Sequence, residues 1–250
     1  MSPWPERSVS AAYVHIPFCV RKCLYCDFVS YAGIDPLRQL DYVHHVTDEI
    51  DHIADQVASG LLPLDPAPLQ TVYFGGGTPS VLPATALAKV LQRLSDRFGL
   101  ANDAEVTMEA NPGTTSPDSL AICRQAGFNR ISFGLQSASP RLLRSLGRIH
   151  DADDFVRSVR MAVAAGYDRI SADVMFGLPD QHENDINETL DLIFSLPIQH
   201  VSFYGLILEE GTPLHEAYHR RPGSLRLPDD EEERAQYHLI RRRLAARGFD

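Results

Sequence analysis

The chain has 250 residues and a formal net charge of -10 at pH 7. This length allows one substantial hydrophobic core, and the acidic balance disfavours nucleic-acid binding, which usually needs a basic face. The chain lacks the run of about 18 apolar residues that a membrane span requires. Its first ten residues contain two prolines and no apolar stretch, which does not resemble a signal peptide.

Short apolar segments alternate six times with amphipathic segments along the chain. This alternation predicts a parallel sheet with right-handed crossover helices, and the continuous apolar runs are typical of strands buried on both faces. Six units are fewer than the eight of a closed barrel. We therefore predict an α/β fold in the form of a partial (β/α)6 barrel, open on one side. The predicted strands are Ala12–Ile16, Thr71–Phe74, Glu105–Ala110, Arg130–Phe133, Arg169–Val174 and Val201–Leu206.

A helix is predicted after each strand. The fourth has an apolar stripe that includes Phe155 and stops near Gly166. The arginines near the end of the sixth are expected to be mostly solvated. Connections are predicted to be short except after the first strand. The other five helices are predicted, from capping and turn residues, to begin near Asp35, Pro83, Ser116, Asn184 and Asp229.

Three of the four cysteines, Cys19, Cys23 and Cys26, lie within eight residues of one another. They fall in the long loop after the first predicted strand, and long loops in compact domains are usually functional. Three thiolates can hold an iron–sulfur cluster and leave one iron open, because such clusters normally take four. The alternative is a zinc site with His15 as the fourth ligand, although zinc ligands usually come in tighter pairs. Cys123 is interpreted as a buried, inert thiol.

Clustered thiols indicate metal binding in a reducing compartment, so we expect a cytoplasmic protein. The C-x3-C-x2-C motif in this position resembles the signature of the radical S-adenosylmethionine superfamily. The resemblance implies a four-iron, four-sulfur (4Fe-4S) cluster on the three cysteines. It also implies that S-adenosylmethionine chelates the open iron and is cleaved to a radical after electron transfer from the cluster.

Further candidate residues follow the predicted strands, where active sites of (β/α) barrels form. A glycine run at 75–77 lets backbone come close to a ligand, or is only a tight turn. Glu109 ends the third strand and can accept hydrogen bonds from a ligand, or can face solvent. Asp173, inside the apolar fifth strand, needs a partner if it is buried. Gln136 follows the fourth strand, and Arg148, taken alone, is typical of a surface arginine.

From Tyr13 to the last residue, the chain resembles the oxygen-independent coproporphyrinogen III oxidase family. The matching segments are Tyr13–Cys19, Gly75–Pro79, Glu109–Pro112, Gly134–Gln136 and Asp173–Pro179. The residues that would contact S-adenosylmethionine by this resemblance are Tyr13, Tyr25, Gly76, Gly77, Thr78, Glu109, Gln136, Arg148 and Asp173.

The family has two branches, and two features of the chain bear on the choice. The oxidase carries a further cysteine two positions after the third ligand, where this chain has Phe28, and it has a longer N-terminal extension. Phe28 can also be simple packing beside the cluster, which suits either branch. The resemblance favours the heme chaperones, which bind heme and pass it to acceptor proteins. The alternatives are the oxidase itself, a coproporphyrinogen III dehydrogenase-type oxidoreductase, and a radical enzyme acting on another substrate, including RNA.

The resemblance also implies an electron donor such as flavodoxin or ferredoxin, and a homodimer as a candidate assembly. We expect residues 1–12 to form a tail and residues 13–250 to form the radical S-adenosylmethionine core. The family normally continues with a C-terminal domain and a His-Asn-containing motif proposed to matter for heme. Neither is expected within these 250 residues.

Overall fold

A computed structural model of the chain describes residues 8–62, 64–220, 223 and 225–249. Six long strands form one parallel sheet in the order β1-β4-β5-β6-β7-β8, and two short strands pair beside it. The strands are β1 Ser8–Ile16, β2 Phe18–Cys19, β3 Tyr31–Ala32, β4 Asp65–Gly76, β5 Leu100–Ala110, β6 Arg130–Gln136, β7 Arg169–Phe176 and β8 His200–Gly205.

Eight helices are present in the part of the chain that the structure describes. Six of them lie between strands, and the last two follow β8. None of the described helices combines the length and apolar character that crossing a membrane requires. The helices are α1 Pro36–Ala58, α2 Ala84–Phe98, α3 Pro117–Ala126, α4 Pro140–Ser145, α5 Ala152–Ala164, α6 Glu183–Phe194, α7 Pro213–Arg220 and α8 Asp230–Ala245.

The partial (β/α)6 barrel predicted from the alternation is confirmed. All six predicted strands are present, parallel and in sequence order across the sheet. Within the described residues, β1 and β8 are the two edges and do not pair with each other, so the barrel is open. The loops that follow β1 and β8 nevertheless line one cavity, because the sheet curls and brings its two ends toward each other.

Several boundaries differ from the sequence prediction. β1 begins at Ser8 and so includes the end of the segment predicted to be a tail, while residues 1–7 lie outside the described part. The cap of α6 is His182 rather than Asn184. The carboxylate of Asp185 accepts the backbone N–H of His182 at 2.9 Å, which starts the helix earlier, and Asn184 instead donates to Glu188 within it.

The connections after β6 and β8 are longer than predicted, because each contains an additional short helix, α4 or α7. Helices of six and eight residues are too short to show a clear apolar period in the sequence. The arginines at the end of α8 and just after it are mostly solvated, as expected: Arg241, Arg242 and Arg247 are exposed, and Arg243 is half-buried. Arg243 forms an ion pair with Asp191 of α6, and the Arg243 and Arg247 guanidinium groups both lie over the Phe194 ring.

The two faces of the sheet carry different residues. The outer face packs against the helices through apolar side chains such as Met108, Ile131 and Phe133, each at most 2% exposed. The inner face is also largely shielded from solvent, as predicted. Its residues toward the carboxyl ends of the strands are polar, for example Glu109 and Ser132. The hydrophobic core therefore lies outside the sheet, and the inside is left for a ligand.

Candidate functional site

A cavity of about 540 Å³ opens at the carboxyl ends of the strands. It is lined by Cys19, Cys23 and Cys26 and by eight of the nine residues predicted to contact S-adenosylmethionine. Those eight are Tyr25, Gly76, Gly77, Thr78, Glu109, Gln136, Arg148 and Asp173.

Tyr13 is the predicted residue that the structure does not bring into this lining. It lies on the edge strand β1, level with Tyr73 of β4, and the two rings stack with centroids 6.1 Å apart. Tyr73 lines the main cavity, whereas Tyr13 lines a separate, mostly apolar cavity of about 380 Å³ between β1 and α1. Tyr13 therefore lies next to Tyr73 at the side of the main cavity rather than in its lining.

The loop with the three cysteines is closed at its base by backbone pairing. Phe18 pairs with Tyr31 between β2 and β3, and the N–H of Tyr31 donates to the carbonyl of Pro17 at 2.7 Å. The imidazole Nε2 of His15 lies 2.9 Å from the carbonyl oxygen of Val29, near the end of the loop. His15 thus holds the loop against β1, and this contact argues against its predicted alternative role as a zinc ligand.

The three thiols are free, partly exposed and close enough to influence one another. Burial raises the pKa of the Cys23 thiol; the positive charge of Arg148 lowers it, and Cys26 and Cys19 raise it. Among the described residues, no three His, Cys, Asp or Glu side chains are grouped around a point as a single metal ion needs. A 4Fe-4S cluster uses a different iron for each cysteine, so three soft thiol donors in one loop fit such a cluster with one iron left open.

The glycine run is required by close packing of the end of β4 against the base of the cysteine loop. Gly76 has φ +112°, and a Cβ atom there would lie 2.6 Å from the His15 ring; at Gly77 it would lie 2.7 Å from the Phe18 carbonyl oxygen. The N–H groups of Gly77 and Thr78 donate to β1 and β2 carbonyls at 2.8 and 2.7 Å. These amides are therefore used by the protein itself rather than offered to a ligand.

Glu109 does not face solvent, which was the alternative for a charge at a strand end. Its Oε1 accepts the Tyr73 hydroxyl at 2.7 Å, and its Oε2 accepts the Gly76 N–H at 3.2 Å. Burial raises the pKa of this carboxyl, while the hydrogen bond from Tyr73 opposes the rise. The carboxylate is thus fixed in orientation at the cavity wall.

Asp173 and Gln136 are held by neighbouring strands. Ser132 donates to the Asp173 carboxylate at 3.0 Å, and burial raises the pKa of Asp173. Gln136 is buried, and its φ of 65° is unusual for a residue other than glycine. Its Oε1 accepts the Tyr204 hydroxyl at 2.6 Å. Strained backbone of this kind concentrates at functional sites.

Arg148 is not an ordinary surface residue. Its two terminal nitrogens donate to Asn111 Oδ1 at 2.7 Å and to the Tyr25 hydroxyl oxygen at 2.8 Å. Its Nε–H is buried and has no hydrogen-bond partner among the described residues. Because buried donors are almost always paired, this group is suited to an acceptor supplied by a ligand.

Sequence reasoning missed three residues that organise the cavity: Tyr73, Asn111 and Tyr204. Both tyrosines lie in predicted strands, where aromatic residues are common. Side chains alternate between the two faces of a strand. This alternation along β5 and β4 would have placed Glu109 and a tyrosine of the adjacent strand on the same face. Asn111 lies within the matching segment Glu109–Pro112, but no local feature of the sequence indicates its hydrogen-bond partners.

The fold and the site define a class of protein: an open parallel barrel whose first loop holds three free thiols above a polar, charged cavity. The family model described as the Radical SAM superfamily matches residues 13–193, and the chain belongs to this superfamily. Membership implies a 4Fe-4S cluster and S-adenosylmethionine as cofactors.

Curated relatives are similar along most or all of the chain. The heme chaperone HemW of Mycobacterium tuberculosis is 37% identical over 254 residues, covering 100% of this chain and 62% of the relative. HemW of Escherichia coli is 39% identical over 219 residues, covering 88% of this chain and 54% of the relative. The chain thus spans less than two thirds of either relative's length.

Solved structures show the same fold. The coproporphyrinogen III oxidase HemN of Escherichia coli, a radical SAM enzyme, has a TM-score of 0.83 at 24% identity, covering 98% of this chain and 54% of that one. Methylornithine synthase (PylB) has a TM-score of 0.62 at 14% identity, covering 96% and 63%. At these identities the likeness establishes the barrel and not the substrate.

Proposed function

We propose that this chain is the core of a heme chaperone, which binds a 4Fe-4S cluster, S-adenosylmethionine and heme and delivers heme to acceptor proteins. The observation that carries the proposal is the match of the entire chain to a heme chaperone at 37% identity. The proposal extends to the partners expected from the sequence: heme-acceptor proteins, a flavodoxin or ferredoxin as electron donor, and a homodimer in the cytoplasm.

In this proposal, the metal ligands are Cys19, Cys23 and Cys26. The cluster, when bound, supplies an open iron for the amine and carboxylate of S-adenosylmethionine and the electron for its reductive cleavage. The proposed ligand contacts are the eight predicted residues that line the cavity: Tyr25, Gly76, Gly77, Thr78, Glu109, Gln136, Arg148 and Asp173.

The chain's own groups have distinct tasks at this site. Arg148 supplies a fixed positive charge and an unpaired N–H for a carboxylate. Glu109 and Asp173 supply carboxylate oxygens for an amine or for ribose hydroxyls, and both are oriented by hydrogen bonds before any ligand arrives. Such preorganised groups bind without a large cost of reorganisation. We propose that Tyr13 acts through Tyr73 rather than by direct contact.

Phe28 supports the chaperone rather than the oxidase. It lines the cavity and is 67% exposed, so its ring is open to a ligand at this position. An exposed aromatic ring at this position suits the apolar face of a porphyrin. By the resemblance, the oxidase has a cysteine there, and this chain offers no thiol in its place.

The test combines two measurements on anaerobically reconstituted protein. Heme titration should give a saturable Soret shift. A single-turnover assay with reductant, S-adenosylmethionine and coproporphyrinogen III should give no protoporphyrinogen IX, and Phe28→Cys should not create this activity. Protoporphyrinogen formation by the unmodified chain would replace the chaperone with the oxidase, and absence of heme binding would remove the chaperone function.

A matched pair of variants sharpens the heme measurement. Phe28→Asp places a charge where bound heme would cover it and should weaken heme binding about tenfold or more, since removing a charge from water is costly. Val29→Asp is the control, because Val29 is 64% exposed but does not line the cavity. Equal heme affinity of the two variants would separate Phe28 from the heme site.

A further inference from the structure

A continuous series of hydrogen bonds joins two residues of the cysteine loop by way of the barrel. The Tyr25 hydroxyl accepts from Arg148 at 2.8 Å, and Arg148 donates to Asn111 Oδ1 at 2.7 Å. Asn111 Nδ2 donates to Thr78 Oγ1 at 2.8 Å, and Thr78 Oγ1 lies 3.6 Å from the sulfur of Cys19. Asn111, just after β5, is the middle residue of this series.

The direction of every hydrogen in the series follows from Arg148. A guanidinium group only donates, so the amide oxygen of Asn111 must face Arg148 and its NH2 group must face Thr78. The Thr78 oxygen therefore accepts from Asn111. Its own hydrogen is left to point elsewhere, and the Cys19 sulfur is the acceptor within reach.

The surroundings keep this arrangement in place. Thr78 is 2% exposed, so water does not compete for its hydroxyl. Gly134 of β6 approaches the network closely, since a Cβ atom there would lie 2.9 Å from Asn111 Oδ1 and 3.4 Å from a terminal nitrogen of Arg148. A side chain at position 134 would therefore enter the space of the Asn111–Arg148 hydrogen bond.

We propose that Asn111 is a positioning residue for the cluster: by accepting from Arg148 and donating to Thr78, it makes the Thr78 hydroxyl a hydrogen-bond donor to the Cys19 thiolate. Hydrogen bonds to the sulfurs are among the factors that set the reduction potential of iron–sulfur clusters. A donor stabilises the reduced, more negative cluster, so this bond raises the midpoint potential. The inference depends on the cluster and not on heme binding.

The test is the midpoint potential of the reconstituted cluster, measured by redox titration with electron paramagnetic resonance and without S-adenosylmethionine. Thr78→Val removes the donor without adding charge and should lower the potential. Thr78→Ser keeps a hydroxyl and should retain the potential of the parent. Loss of the cluster from Thr78→Val but not from Thr78→Ser would support the same conclusion, because the serine restores the hydroxyl.

The part played by Asn111 is separated by a double-mutant cycle. Asn111→Ala should lower the potential, since the Thr78 hydroxyl is no longer directed to sulfur. In the Thr78→Val background, the same substitution should have no further effect, because coupled residues are not additive. A Thr78→Val potential equal to that of the parent, loss of the cluster from Thr78→Ser as well, or additive shifts of the two substitutions would overturn the proposal.

Discussion

The two faces of the sheet have different roles: the outer face packs against the helices, and the inner face carries polar residues toward the cavity. On β6, Phe133 points outward, is fully buried and packs edge-on to Phe155 of α5, whereas Ser132 points inward and donates to Asp173. The outer face derives its stability from burial of apolar surface. The inner face holds carboxylates whose pKa values burial raises, an arrangement that disfavours the ligand-free fold and favours a ligand. Residues that stabilise the fold and residues that face the cavity therefore alternate along the strand.

The four cysteines show the same division and allow the largest expected effect. Replacing Cys19, Cys23 or Cys26 by alanine should abolish the 4Fe-4S cluster, measured as iron and acid-labile sulfide per chain. Cys123→Ala should leave the cluster intact, because Cys123 belongs to the outer core of α3 and burial raises its pKa to about 12. Stoichiometric zinc without sulfide in anaerobically prepared protein would contradict this prediction.

A pair of neighbouring substitutions tests the two faces directly. Phe133→Ala should lower the free energy of unfolding by about 3–5 kcal/mol, as expected for a large buried aromatic. Ser132→Ala removes one hydrogen bond and should cost about 1 kcal/mol. Urea denaturation of the ligand-free protein measures both. Similar losses in the two variants would break the distinction between the faces.

A smaller effect is expected at the inner face, and it should appear in binding rather than folding. Glu109→Gln should weaken S-adenosylmethionine binding about tenfold, or about 1.4 kcal/mol, with little change in melting temperature. Glu105→Gln is the matched control: Glu105 lies on the same face of β5 but pairs with Arg130 and Arg169 away from the cavity. Calorimetric titration should show parent-like affinity for the control, and equal weakening of both would argue against the assignment of Glu109.

The smallest effect concerns the pH dependence of stability. Burial raises the pKa of Asp173 above its ordinary value of 3.8, so the native state binds the proton more tightly than the unfolded chain. Its contribution to stability is therefore present at low pH and is lost as pH rises through the raised pKa. Between pH 4 and pH 7, the melting temperature of the ligand-free protein should fall less in the Asp173→Asn variant than in the parent. Melting curves recorded about one pH unit apart measure this difference. Parallel curves for the two proteins would show that Asp173 is not buried as a charge.

The fold was predictable because parallel strands appear as apolar runs and helix caps as local signals. Ser116 and Asp229 do cap α3 and α8, with reciprocal hydrogen bonds to the third helical residue. The short helix α4 was not predictable, because six residues are too few to show a helical apolar pattern. The cap of α6 at His182 was not predictable either, because it depends on the Asp185 carboxylate accepting the His182 N–H.

The site was predictable as a set of strand ends but not as a network. Alternation shows which face a residue occupies, and it does not show how far across the curved sheet the residue lies. Tyr13 is therefore on the expected face yet outside the lining of the main cavity. The partners of Arg148 come from segments far away in the sequence, at Tyr25 and Asn111, and only the folded chain brings them together.

We propose that the inner cavity holds S-adenosylmethionine against a cluster on three cysteines. The most direct measurement is the electron paramagnetic resonance spectrum of the reduced, reconstituted protein before and after addition of S-adenosylmethionine. We expect a cluster signal that changes when the ligand is added to the parent. In Glu109→Gln the signal should not change at a ligand concentration that only the parent binds. A cluster signal indifferent to S-adenosylmethionine in the parent would contradict this proposal.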